Sequence, residues 1–201
     1  RWATRYEEQQ RFADAEPLLS RALLIRQSQL GPDDPSVAEA LNNLANNLVE
    51  QQRYPEAEVL YLQVREQLEK STGEKSLDVS VVWSNLGKLY RMQEKYKESE
   101  DALLKAYAIR RPTLRANHVL VAQSLYEMAL TDAVQGKLER GIDRMRRATK
   151  TFENVLGEGD PRLAMAYVNL AQMLRNDGRE AEAKRLEDKA KAIVDAQTQG
   201  G

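Results

Sequence analysis

Read from its residues, the 201-residue chain is an all-α array of about five helix-turn-helix hairpins. Five short segments, QRFADAE, QRYPEAE, EKYKESE, GKLERGI and GREAEAK, place their third residues at Phe12, Tyr54, Tyr96, Leu138 and Glu180, a constant step of 42 residues. Five junctions in one register without an insertion are the mark of a repeat architecture. Ahead of three of them, apolar and small residues fall at i, i+3, i+4 and i+7, which is one face of a helix. Helix stop and start signals lie between the units. A single repeat domain is therefore expected over 1–201, with units at about 1–33, 34–75, 76–117, 118–159 and 160–197 and a flexible tail at 198–201.

The first unit opens at Arg1, already inside a helical pattern, so the chain reads as part of a longer protein. Trp2, Ala3 and Tyr6 take framework positions, but this first helix is short and is expected to expose apolar surface, which makes a solenoid end adhesive. In the second unit LGPDDP supplies Gly31 to end one helix, Asp34 to cap the next and Pro35 for its first turn, where a missing N–H costs nothing. Leu41, Leu44, Ala45 and Leu48 form its packing face, and Ala57 keeps the second helix small at the point of closest approach.

The third unit uses Ser76 as cap, Trp83, Leu86, Gly87 and Tyr90 as packing face, and Ser99 as the small residue. The fourth departs most. His118 takes the cap position, Pro112 interrupts the connection, Gly141 weakens the second helix, and Asp132 stands where other units hold Leu48, Tyr90 and Leu174. An unpaired buried carboxylate is costly, so either Asp132 reaches arginine or water, or the helix pair opens. A bend is expected between the third and fifth units. The fifth returns to pattern, with Asp160 and Pro161 in LGEGDP, a face of Tyr167, Leu170, Ala171 and Leu174, and Ala183 as the small residue; Ala15 has that place in the first unit.

Composition narrows the function. Thirty basic against 31 acidic residues leave a net charge of -1, so nothing global points to nucleic acid or an anionic membrane. With no cysteine and a single histidine, disulfides, thiolate zinc sites, cysteine nucleophiles and multi-histidine metal sites are excluded. The lack of cysteine leaves the compartment open, the cytoplasm being slightly favoured. Apolar runs fall short of a membrane span, and the opening residues carry no signal-peptide pattern. Gly31, Gly73 and Gly157 are isolated and form no phosphate-cradling loop, while Asp33 and Asp34 lie together in a turn. His118 is read as a cap or a solvent-facing residue rather than a proton carrier. Arg140, Arg144 and Arg147, with Arg146 and Lys150 nearby and Arg110, Arg111 and Arg115 before them, suggest a basic stripe. Glu139 and Asp143 interrupt it and no aromatic set accompanies it, so a solvated helix face is favoured over contact with nucleic acid or lipid.

The positions of Trp83, Leu86, Gly87, Tyr90 and Ala57, with LNNLA at 41–45, SNLGK at 84–88 and VNLAQ at 168–172, resemble the tetratricopeptide repeat family in its 42-residue, kinesin light chain-like form. The eight residues beyond the standard 34 add roughly 12 Å of helix per unit. The resemblance implies a right-handed solenoid whose hairpins stack because none buries its apolar face alone, with the first helix of each lining a concave surface. The candidate contact residues are then Asn42, Asn43, Asn46 and Glu50; Ser84, Asn85, Lys88 and Arg91; Tyr126, Glu127 and Leu130; and Asn169, Gln172, Arg175 and Asn176. Asparagine is a poor choice for an idle helix surface, because its side chain competes with the backbone. Its amide grips peptide backbone through both donors and acceptor, or else bonds between helices. Lys88, Arg91 and Arg175 would recruit acidic groups, or else form a solvated face. The expectation is a non-catalytic scaffold without cofactor or metal, binding an extended, acidic or mixed segment of a partner protein. Self-association as a homo-oligomer, or docking within a larger protein, is the alternative.

Overall fold

The computed structural model describes residues 2–157 and 159–199, with side chains over 11–157 and 159–197. Within them lie nine α-helices and no strand: α1 (Trp2–Leu30), α2 (Pro35–Glu50), α3 (Tyr54–Thr72), α4 (Leu77–Met92), α5 (Tyr96–Thr113), α6 (Val119–Val134), α7 (Leu138–Val155), α8 (Pro161–Asn176) and α9 (Glu180–Gln199). They fall into two compact units, 1–95 and 96–201. α9 continues two residues into the segment read as a tail.

Each helix that opens a unit after the first starts on a side-chain cap. Asp34 accepts from the Ser36 N–H at 2.8 Å, Ser76 from Val79 at 3.2 Å, His118 through Nδ1 from Leu120 at 3.1 Å, and Asp160 from Arg162 at 2.9 Å. Pro35 and Pro161 take the first turns of α2 and α8. Inside the hairpins the turn is made by backbone alone. Gln52, Glu94, Gly136 and Gly178, each 42 residues from the next, adopt φ between 61° and 77°. The residue after each donates to a carbonyl five positions back: Arg53 to Leu48, Lys95 to Tyr90, Lys137 to Asp132 and Arg179 to Leu174. This is the left-handed stop that satisfies orphan carbonyls at a helix end.

The first junction departs from that scheme. α1 runs unbroken through QRFADAE, and Gln10, in register with the four left-handed residues, stays helical. The side chains of Trp2, Ala3 and Tyr6 lie outside the described residues.

In the first unit α1 packs on α2, α2 on α3 and α3 on α4. Leu41, Leu44, Ala45 and Leu48 of α2 are buried, as are Ala57, Tyr61 and Val64 of α3. In the second unit α5 packs on α6, α6 on α7, α7 on α8 and α8 on α9. One of its clusters gathers Leu125, Met128, Phe152 and Tyr167; the other joins Ile142, Met145, Leu170 and Leu174. The small positions work as read: Ala57, Ser99, Gly141 and Ala183 are all buried. A Cβ on Gly141 would sit 3.2 Å from the Ala129 carbonyl oxygen, so α6 and α7 are at closest approach there.

That closeness settles the choice posed by Asp132. The helix pair does not open. Asp132 is 1% exposed and lies in a fork of two arginines, accepting from Arg140 Nε at 2.9 Å and Arg144 Nη1 at 2.7 Å. Arg140 also reaches Glu100 at 2.8 Å, extending the network to α5.

Candidate peptide-binding face

On α2, Asn43, Asn46 and Glu50 are exposed at i, i+3 and i+7, with Asn42 half-buried beside them. On α4, Lys88 is exposed and Asn85 and Arg91 are half-buried. The two helices are tied at this face, where the Asn85 amide donates to Asn42 Oδ1 at 3.0 Å. Asn46 accepts from the Tyr61 hydroxyl, whose titration burial pushes upward, with Glu50 adding to the shift. Asn42, Asn46 and Asn85 are thus partly engaged within the protein. Asn43 and Lys88 stand exposed toward solvent. Ser84, expected on this face, is buried instead, because its place on α4 turns toward the core side.

The second unit repeats the tie in the same register. Asn169 on α8 donates to the Tyr126 hydroxyl on α6 at 2.6 Å, 84 residues on from the Asn85–Asn42 pair. Gln172 donates to Asn176 at 2.9 Å along the exposed side of α8. Arg175 is held by Glu187 at 2.6 Å and Glu180 at 3.3 Å, and these partners keep its guanidinium charged. Glu127 is buried, and Leu130 half-buried against the second core cluster, so neither presents a free contact surface. Asn47 was missed by the sequence reading. It is buried and donates to the Phe12 carbonyl at 3.0 Å while accepting from Gln51, which anchors α1 to α2. The available signal was its register, since the third and fifth repeats hold Leu89 and Met173 at that place.

The basic stripe is mostly internal wiring. Arg140 and Arg144 serve Asp132, Arg146 pairs with Glu182 at 2.7 Å, and Arg147 with Asp143 at 3.7 Å. Arg110 is buried, donating to the Leu120 carbonyl and to Ser124 Oγ, and burial pushes its titration down to about 10. It is no part of a surface stripe.

Other cations form a series with the period of the sequence. Arg53 pairs with Glu16 at 2.6 Å and Lys95 with Glu58 at 3.4 Å in the first unit, and Lys137 pairs with Glu100 at 3.1 Å in the second. Each bridge spans 37 residues and each step is 42. Hydrogen bonds from Gln51 and Arg53 hold Glu16 below the usual carboxylate range; burial alone would raise Glu100, but Lys137 and Arg140 hold it low as well. The series stops where Ile142 replaces the acid, and Arg179 turns to Glu182 on its own helix.

A family profile described as tetratricopeptide repeat matches residues 1–70, 39–112 and 120–196. No curated protein sequence matches the chain. Among solved structures it is similar to BtubC (BKLC) from P. vanneervenii, at 22% identity and a TM-score of 0.78, over 96% of this chain and 76% of that one. A Podosopora anserina protein described as a kinesin light chain with nearly identical TPR-like repeats is similar over 99% of this chain and 94% of its own, at 22% identity and a TM-score of 0.71. Aspartyl phosphate phosphatase F from Bacillus subtilis is similar at 17% identity and a TM-score of 0.79, over 98% of this chain and 50% of that one. At such identities the likeness concerns the fold.

Proposed function

Because the chain belongs to the tetratricopeptide repeat family, whose fold is a protein-interaction scaffold, we propose that it binds an extended segment of a partner protein along α2 and α4 and carries out no catalysis itself. One observation carries this reading. The Asn85–Asn42 bond joins two polar helix faces side by side, and it leaves Asn43 and Lys88 directed at solvent with no task in the fold. An asparagine amide offers a donor and an acceptor to peptide backbone, and a lysine beside it favours a carboxylate. The partner segment is accordingly extended and acidic or mixed in charge. Arg175 contributes little, being occupied by two glutamates, and Asn85 contributes what capacity its inter-helix bond leaves.

The experiment is a peptide-display selection on the chain, run beside an Asn43→Ala/Lys88→Glu variant. Both residues are exposed, so their replacement leaves the helices intact. Enrichment of an acidic extended motif by the parent and not by the variant supports the reading; equal enrichment by both refutes it. Self-association is a second reading, favoured by Leu18 and Leu24 of α1, which are 70% and 65% exposed. Sedimentation that stays monomeric at high concentration would remove it.

A further inference from the structure

The α2/α4 face holds a cavity at the end where both helices begin. Its volume is about 320 Å³, and α2, α3 and α4, which line it, all lie inside the first unit. Ala38, Val64, Leu68 and Val81 give it an apolar wall, and Glu39, Asn42 and Asp78 also line it. Asn42 joins the cavity to the polar face, since its Oδ1 holds the Asn85 amide and Lys88 follows on the next turn of α4.

The second unit does not repeat this lining. Two repeats on, the Tyr126 and Phe152 rings, 6.3 Å apart, stand where the first unit has Asn42 and Leu68. Gln123 and Arg162 stand where it has Glu39 and Asp78. Repeat stacking alone therefore accounts for neither the smaller side chains nor the negative charge of the first-unit cavity. Glu39 meets Arg26 of α1 through one oxygen, Oε2, at 3.1 Å, and its side chain stays 65% exposed. Asp78 is exposed and has no ion pair among the described residues, while Lys70 on α3 is held by Glu66 at 2.7 Å.

An apolar wall beside two carboxylates matches a side chain with an aliphatic stem and a cationic head. An all-apolar occupant would take water from the carboxylates and put nothing in its place. We propose, on the basis of the peptide-binding reading of the α2/α4 face, that this cavity seats a lysine or arginine of the partner segment. Its stem lies against Val64, Leu68 and Val81, and its head pairs with Glu39 and Asp78. The partner segment is thereby mixed in charge rather than purely acidic. Val81 and Lys88 are seven residues apart on α4. That is ~10 Å of helix, which extended chain covers in about three residues. The segment therefore carries its basic residue about three positions from the carboxylate that meets Lys88.

The test is a random-peptide display selection on the intact chain and on two variants checked for parental helicity. Glu39→Gln/Asp78→Asn removes the charge at exposed sites, and Leu68→Phe fills the cavity with the residue that Phe152 supplies in the second unit. The parent is expected to enrich peptides in which lysine or arginine lies about three positions from aspartate or glutamate. Both variants should lose that basic preference by ~5-fold or more while still enriching the acidic residue. If Leu68→Phe does not fold, the neutralised variant decides alone. Acidic peptides without a base at that spacing, or a basic preference that either folded variant leaves unchanged, would overturn the cavity assignment and leave the peptide-binding face standing. Failure of the parent to enrich any peptide would remove the face and the cavity assignment together.

Discussion

Replacing Asp132 by leucine restores the residue that the second and fifth repeats carry at Leu48 and Leu174, yet it should destabilise the protein. Asp132 is 1% exposed, and its partners Arg144 and Arg140 are 16% and 42% exposed. Removing one member of a buried pair typically costs about 3–5 kcal/mol, because the other charge stays without compensation. Arg140 reduces that figure, since it is open to water and keeps Glu100 at 2.8 Å. The expected loss for Asp132→Leu is therefore ~2–4 kcal/mol, borne mainly by Arg144. Arg144→Leu alone leaves Asp132 with Arg140 and should cost only ~1–2 kcal/mol. The register residues of Arg144 in the other two repeats are Leu60 and Leu186, so the double substitution recreates their leucine pair. It should return to within ~1 kcal/mol of the parent, giving a coupling of at least ~2 kcal/mol. Urea unfolding followed by far-UV circular dichroism measures all four proteins. Tryptophan fluorescence is a control, because both tryptophans, Trp2 and Trp83, lie in the first unit. Additive single effects, or a double variant as weak as Asp132→Leu, would refute the assignment of the cost to a stranded arginine.

Glu94 holds φ of 61° at a place where the next two repeats have glycine, so Glu94→Gly should raise stability by ~0.5 kcal/mol, read as a higher urea midpoint at unchanged slope. Ser76→Ala removes the acceptor for the Val79 N–H and should cost ~1 kcal/mol by the same measurement. Acidification should weaken the fold: hydrogen bonds from Ser36, Arg162 and Gln51 hold Asp34, Asp160 and Glu16 below their ordinary values, so their contribution is complete above those values and is lost as pH falls. A thermal midpoint that is flat near neutrality and declines as pH passes down through the ordinary range of 3.8 to 4.5 would agree; a midpoint that rises there would not.

Most of the fold was legible because repetition multiplies weak signals. A single Ser76 or His118 before an apolar run is a poor cap assignment, but the same position filled by Asp34 and Asp160 identifies its job in all four. The small residues at Ala57, Ser99, Gly141 and Ala183 were legible for the same reason. Periodicity did not show that α1 runs straight through its junction, because the QRFADAE segment is in register with the four that turn. Side-chain pairing was the harder part. Asn85 read first as a peptide ligand, with an inter-helix tie as the alternative, and only the approach of α2 to α4 brings Asn42 within 3.0 Å of it. Arg110 looked like part of a surface stripe in a polar segment, and its burial follows from where α6 crosses α5.

The bridges Arg53–Glu16, Lys95–Glu58 and Lys137–Glu100 act as a gauge of chain length. Each is made across a whole repeat, and its two ends meet only if the residues between them number as they do. One residue added to the intervening helix would swing everything after it by about 100° and carry cation and carboxylate to different sides. Two edits escape this check: those that fall in the connections, and those that add or delete forty-two residues at once. Changes of length within the helices should therefore be tolerated in whole copies, and the gauge ends at Ile142, which is buried in the core where the first three repeats hold a carboxylate.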